Sequence, residues 1–270
     1  MSVSQNQPQH TQPHASSLLP PRFDELLTRA VSSFWQSRSH AASPHQEGAR
    51  GQVIKGKNLD QLAELVMEVA RHNGIPVETE VKSRSLKLPG YFRPAKDWDI
   101  VISIEQQLIA VLELKSHVGS LGNNINNRTE EAIGNALDFW FAYAAQRRAS
   151  DELLRHESFT PQLPPPSFPT APFLGYLLLL QDCPAATTPI SVHSTHLPIS
   201  PELRLLSYAE RYQILCQRLT QHQLYQGAGL ILSPEGERGV AGEHRALSDD
   251  TSARHLLTQL AAHLRARRPR

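Results

Sequence analysis

Two carboxylates and a lysine interrupt an otherwise apolar stretch of the chain: Asp99 stands ahead of Ile100-Val101-Ile102, and Glu113 and Lys115 straddle Leu114. The segments 98–104 (WDIVISI) and 108–115 (LIAVLELK) are rich in β-branched and aliphatic residues. Glu105, Gln106 and Gln107 separate them, which is the spacing of a β-hairpin with a short loop. A loop centred on Gln106 sets Asp99 opposite Glu113 and Asp97 opposite Lys115. Directly opposed residues share a face, with Cβ atoms about 4.5–5.5 Å apart, close enough for two carboxylates to hold one divalent ion. Lys115 lies two residues beyond Glu113 and joins that face. Two carboxylates and an ammonium on apolar surface are costly unless compensated, and a bound cation together with a phosphate compensates all three. Hard cations such as Mg2+ take carboxylate oxygens and keep several waters, leaving positions for a phosphate oxygen and an attacking water. Lys115 would orient that water or stabilise the developing charge. A salt-bridge cluster at a sheet end is the other reading of the same three residues.

The elements that must position these groups follow from periodicity. Ile100, Ile102, Leu112 and Leu114 are expected to face one way and Val101, Ile109 and Val111 the other, so the hairpin belongs inside a sheet covered on both sides. Residues 1–21 are polar and Pro-rich, the composition of a disordered tail. From Phe23, the residues Leu26, Leu27, Ala30, Val31, Phe34 and Trp35 fall at helical spacing, and residues 36–56 return to a loop. A second helix is expected from an Asn58 N-cap to Asn73-Gly74, then an edge strand over Val77–Leu88 and a turn at Pro89-Gly90. After a Gly/Asn-rich loop, a helix over 127–146 opens with Asn127 and Glu130 spaced as a capping box and carries Ile133, Ala136, Leu137, Trp140 and Phe141. A Pro-rich surface insertion over about 150–172 precedes Phe173–Leu180, a continuous apolar segment expected as a buried parallel strand. A helix over Ser207–Gln223, a strand over Gly229–Leu232, a helix near Ser252–Leu264 and a basic tail over 266–270 complete the chain. The expected fold is α/β: one domain over 22–265 with a β-β-α-β core and a mixed central sheet flanked by helices on both faces.

Longer blocks carry a resemblance. PAKDWDIVI (94–102), LIAVLELKS (108–116) and above all GNNINNRTEEAIGNALDFW (122–140) resemble the XhoI family of restriction endonucleases. The likeness extends through LKLPGYFRP (86–94), FLGYLLLL (173–180) and SYAERYQILCQRLTQHQLY (207–225), and covers about residues 23–264. It implies a nuclease of the PD-(D/E)xK group with Mg2+ as cofactor, hydrolysing double-stranded DNA at the palindrome CTCGAG to leave 5′ extensions. By motif position, Asp99 and Glu113 are the implied metal ligands and Lys115 the catalytic lysine, with Asp97 an alternate ligand if the hairpin register differs. The SHVGSLG loop (116–122) is shorter and the Pro-rich insertion longer than the family pattern, which bears on target specificity rather than on chemistry.

Glu64 and Glu68 are candidates for the additional carboxylate that many such nucleases take from a preceding helix, and a solvated helix face explains them equally well. Asn123, Asn124, Asn126, Asn127 and Arg128 suit base reading, with capping and turn geometry as the alternative. Lys82, Arg84 and Lys87 alternate with apolar residues and would track phosphates or protect a sheet edge. His193 and His196 read as solvated loop residues, and Tyr208, Arg211 and Tyr212 as the opening of a packed helix. A net charge of +1 confines any DNA surface to a local patch. Cys183 and Cys216 are far apart and lack metal-ligand spacing, so both are expected as small buried residues. No apolar stretch of membrane-spanning length and no signal-peptide core is present, so no membrane is expected as a partner and a bacterial cytoplasmic location is. A palindromic target calls for a homodimer. A cognate DNA methyltransferase is expected in the same host.

Overall fold

The computed structural model describes residues 17–41, 59–76, 87–150 and 171–268. A four-stranded mixed sheet lies at the centre, in the order β3-β4-β5-β8. Its members are β3 (Ile100–Ile104), β4 (Gln107–His117), β5 (Phe173–Gln181) and β8 (Gly227–Ser233), the first pair antiparallel and the other two parallel. Side chains alternate across the sheet and feed two cores. On one face Ile100, Ile102, Leu112, Leu114, Leu177, Leu179 and Ile231 pack against α1 (Phe23–Ala41), α2 (Asp60–His72) and α7 (Ala253–Arg265). On the other, Val111, Leu174, Tyr176, Leu178, Leu180, Leu230 and Leu232 pack against α3 (Leu121–Ser150) and α5 (Tyr208–Gln221). The β-β-α-β core and the helices on both faces are therefore as the periodicity indicates, and every residue of β5 except Gln181 is buried. Short α4 (Pro184–Thr187) and α6 (Glu237–Val240) and two-stranded sheets, β1 (Lys87–Pro89) with β2 (Ala95–Asp97) and β6 (Ile190–Ser191) with β7 (Leu205–Leu206), decorate this frame.

The hairpin differs from the expected three-residue loop. Glu105 and Gln106 form a two-residue turn with both φ angles positive, 50° and 65°, the geometry that matches strand twist. The register then shifts between Ile102 and Ser103, leaving Ile109 as an extra residue in β4. The bulge cancels the shorter turn, so Ile100 still lies opposite Leu112 and Val101 opposite Val111. It also turns Ile109 onto the face of Ile100 and Ile102 rather than that of Val111.

Other boundaries move for local reasons. Helix α1 runs on to Ala41, into the expected loop. Helix α2 begins after Leu59, which makes no side-chain cap, while the expected cap Asn58 and residues 77–86 of the expected edge strand lie outside the described residues. Helix α3 starts at Leu121, so the Asn block is helical rather than a loop and the expected cap at Asn127 falls inside the helix. Gly119 and Ser120, at φ 69° and 44°, reverse the chain after β4, and Leu121 and Ile125 anchor the first turn by burial. The buried stripe of α3 passes through Ala132 and Ala136, leaving Ile133 exposed. Ordered structure begins earlier than a 1–21 tail allows: Leu19 is buried and the Ser17 carbonyl accepts a hydrogen bond from Arg265. Residues 1–16 and 151–170 lie outside the described residues. Cys216 is buried as expected, whereas Cys183 is only half-buried. Among the described residues, no helix is long and apolar enough to cross a membrane.

Candidate active site

In the parallel pairing of β4 with β5, Glu113 registers with Tyr176, Lys115 with Leu178 and His117 with Leu180. Since Tyr176, Leu178 and Leu180 belong to the core under α3 and α5, Glu113, Lys115 and His117 face that layer. The Glu113 side chain is 2% exposed and Lys115 22%, so the lysine reaches part-exposed surface between buried Glu113 and buried His117. The Lys115 ammonium donates to Glu113 Oε1.

Asp99 stands just before β3 begins. Its Oδ2 accepts from the Leu114 N–H at 2.7 Å, so the carboxylate takes the hydrogen bond that a longer β3 backbone would have made and is fixed one residue from Glu113. Asp99 as a whole is exposed, while its carboxylate is turned in toward β4 by the Leu114 N–H, where it is partly desolvated. That desolvation, followed by the negative charge of Glu113, raises its pKa against the lowering pull of the Leu114 N–H, Lys115 and Lys96. Two carboxylates of which one burdens the other are a donor set that a cation relieves. Among the described residues no three His, Cys, Asp or Glu side chains gather as a metal-binding group. Among the described residues Asp99 and Glu113 are the carboxylates brought together here, a pair that suits a hard divalent ion completing its shell with water and phosphate oxygens.

Lys96 is the neighbour that sequence reasoning missed. Its ammonium lies 2.7 Å from Glu113 Oε2 and 12% exposed, donates to the Asp97 carbonyl at 3.0 Å and sits 4.2 Å from the centroid of the Trp98 ring. The β1–β2 pairing places it there, with Leu88 opposite Lys96 and Lys87 opposite Asp97. Asp97 is thereby corrected as an alternate ligand. It does not oppose Lys115, since the β3–β4 ladder ends at Ile100–Leu112, and its carboxylate is exposed and 4.0 Å from Lys87. The only available signal was the proximity of Lys96 to Asp99 in sequence, and nothing in that spacing aims it at Glu113.

The turn between β1 and β2 is fixed from α3. Asp138 accepts from the backbone N–H groups of Tyr91 and Phe92 at 2.8 and 2.7 Å and from Arg93 Nε at 2.7 Å. Burial pushes the Asp138 pKa up, but the Arg93 guanidinium and the two backbone donors outweigh it and the net shift is downward. Gly90 is required here, because a Cβ would lie 2.6 Å from both the Arg93 carbonyl and Asp138 Oδ2. Trp98 meets Phe139 of α3 edge-on at 5.6 Å, so α3 supports both ends of the segment that carries Lys96 and Asp99.

His117, two residues beyond Lys115, is buried and its Nδ1 lies 2.6 Å from the Tyr212 hydroxyl. Desolvation, then the charge of Arg128, lowers its pKa against backbone hydrogen bonds that raise it. Burial raises that of Tyr212, so a neutral ring and a neutral hydroxyl share this hydrogen bond. This ties β4 to α5 and makes Tyr212 a core residue, as its helical spacing indicates.

Of the remaining candidates, Asn124, Asn126, Asn127 and Arg128 lie on the first turns of α3, the layer that Glu113 faces. Asn126 and Asn127 are exposed, Asn124 Nδ2 donates to the Ser120 carbonyl at 3.3 Å, and Arg128 is paired with Glu131 at 2.5 Å. The side chain of Asn123 lies outside the described residues, as do Lys82 and Arg84. Glu64 and Glu68 are not brought to the site: both pair with Arg71, at 2.8 and 2.9 Å, on a helix packed against the opposite face of the sheet. His193 and His196 are exposed, as expected.

Comparison with known proteins gives a consistent family. The family described as restriction endonuclease XhoI matches residues 38–244. The chain is 35% identical over 229 residues to the type II restriction enzyme BstVI of Geobacillus stearothermophilus, covering 83% of this chain and 94% of that protein. It is 38% identical over 204 residues to the type II restriction enzyme XhoI of Xanthomonas vasicola, covering 73% and 75% of the two chains. To the type II restriction enzyme AbrI of Azospirillum brasilense it is 36% identical over 189 residues, covering 67% and 77%. No solved structure matches the chain.

Proposed function

The chain belongs to the XhoI family of type II restriction endonucleases, and from that premise we propose that it hydrolyses both strands of DNA at CTCGAG, with Mg2+, leaving 5′-phosphate ends on 5′ extensions. The observation that carries the chemistry is the convergence of Asp99, Glu113 and Lys115 along the C-terminal half of β4, two carboxylates and an ammonium on and beside one strand. Asp99 and Glu113 would hold the divalent ion, which supplies Lewis-acid polarisation of the scissile phosphate. Lys115 presents its ammonium to the attacking water and to the charge that builds on the phosphate oxygens. Water attacks phosphorus in line, the bond to the 3′ oxygen breaks, and that oxygen takes a proton to become the 3′-hydroxyl. The Leu114 N–H keeps the Asp99 carboxylate aimed while this happens.

Base reading is assigned to the first turns of α3, where Asn126 and Asn127 are exposed and Asn and Arg match adenine and guanine edges. Lys87, exposed beside Asp97, suits a phosphate contact. A two-fold target is best met by a homodimer, each copy cutting one strand. In a bacterial cytoplasm such an activity requires a methyltransferase of the same specificity to protect host DNA.

Digestion of a DNA of known sequence with Mg2+, followed by sequencing of the ends, tests this reading. Discrete fragments with CTCGAG across every junction are expected, and Glu113→Gln should yield none. Cutting at a different site would sink the assigned target, and absence of cutting with both Mg2+ and Mn2+ would sink the nuclease reading.

A further inference from the structure

Both oxygens of Glu113 are occupied by ammonium groups, Oε2 by Lys96 and Oε1 by Lys115. A divalent ion cannot approach this carboxylate until one of them leaves, because it needs the same lone pairs and would stand beside two positive charges. The two lysines are anchored differently. Lys115 projects from β4, which is hydrogen-bonded on both sides within the central sheet. Lys96 projects from β2, a member of the separate two-stranded sheet, whose connecting turn carries exposed Tyr91 and Phe92. Its ammonium nevertheless has a full set of partners, a carboxylate oxygen, the Asp97 carbonyl and the face of Trp98. It is also the less exposed of the two, 12% against 22%.

We propose that Lys96 is a positioning residue that occupies the cation's place beside Glu113 in the DNA-free protein and must vacate it before the divalent ion binds. The inference rests on the nuclease reading for the identity of the site. In this state Lys96 holds the Glu113 carboxylate in place while keeping the affinity for metal low. When the ion enters, the released ammonium lies beside a site that now receives a phosphate, so arrival of DNA and loading of the ion favour one another.

The test is Mn2+ binding to the full-length protein without DNA, followed by calorimetry or by the spin-resonance signal of free Mn2+. Lys96→Met, which keeps the length of the side chain and removes its charge, should bind Mn2+ at least about tenfold more tightly than the natural protein. Lys96→Arg should restore weak binding. Arg254→Met removes the same charge at a residue paired with Asp24 on the opposite helical layer and should leave the affinity within about twofold. Glu113→Gln should abolish the high affinity gained by Lys96→Met. In cleavage assays the Mg2+ concentration for half-maximal rate should fall for Lys96→Met. A structural defect would lower metal affinity, so its rise is the diagnostic result. Unchanged or weaker Mn2+ binding by Lys96→Met, or an equal gain in Arg254→Met, overturns the assignment. Failure of every variant to cut DNA, with Mn2+ affinity still rising in Lys96→Met, would overturn the nuclease reading and leave the lysine's competition with the ion standing.

Discussion

At the scale of single residues, the site is a problem of buried charge. Glu113 is almost wholly enclosed, and an unpaired carboxylate there would cost several kcal/mol; Lys96 and Lys115 neutralise it, and Asp99 is left with a raised proton affinity. Lys115→Met should therefore lower the cleavage rate by about 10²- to 10³-fold while affinity for the target duplex stays within a few-fold, measured by single-turnover cleavage beside binding in the absence of Mg2+. A proportional loss of binding would place Lys115 in substrate recognition rather than in catalysis. Asp138 offers a different kind of residue test. It satisfies two backbone donors and a guanidinium, so Asp138→Ala should destabilise the fold by about 2–4 kcal/mol in urea unfolding. A change below about 0.5 kcal/mol would show that the turn stands without it.

At the scale of elements, the hairpin and the helix that follows it set the geometry. The turn Glu105-Gln106 places two ordinary residues at positive φ, where Gly is favoured. Gln106→Gly should raise stability by about 0.5–1 kcal/mol, read as a higher thermal midpoint with cleavage unchanged, and a fall would mean the turn is not of this type. Because Glu-Gln-Gln lacks an Asn-Gly or Asp-Gly signature, the sequence suggested a longer loop. The bulge at Ile109 then restored the register by an independent route, so the pairing near Asp99 was right although the turn was not. The sequence marks only the middle of helix α3, since Gly122 and four Asn residues weaken local helix propensity at its start. Burial of Leu121 and Ile125 against the sheet decides the start. With Asn127 on that helix and exposed, Asn127→Ala should weaken sequence-specific binding by about 1–3 kcal/mol without moving the melting temperature; equal weakening on unrelated DNA would remove it from base reading.

At the scale of the whole molecule, three layers divide the labour, with the site under α3 and α5 and the opposite helices supplying support. His263 of α7 reports on that support. Its Nε2–H donates to the Ile109 carbonyl at 3.0 Å, at the bulge, while Nδ1 accepts from Arg267 at 2.9 Å. Desolvation, then Arg267, lowers its pKa from 6.5 to about 4, against the raising effect of the Ile109 carbonyl. The unfolded chain thus binds a proton that the folded chain refuses between those values. Stability contributed by the neutral ring is complete above pH 6.5 and falls by about 2–3 kcal/mol as pH drops toward 4. His263→Gln, which keeps a donor for Ile109 and cannot be charged, should flatten that limb of a urea-midpoint profile, and an unaltered slope would refute the assignment.

By itself the sequence determined the strand pair, the buried parallel strand Phe173–Leu180, the amphipathic helices and the alternation that sets Glu113 and Lys115 on one face, because these depend on short-range periodicity and local sterics. Only the tertiary structure decided what meets them. Lys96 reaches Glu113 because a separate β1–β2 pair folds back over the sheet, Glu64 and Glu68 are excluded because α2 docks on the far face, and Asp99 is held by a backbone N–H that β3 leaves unpaired. Each depends on which surfaces exclude water together, a long-range outcome that no local spacing encodes.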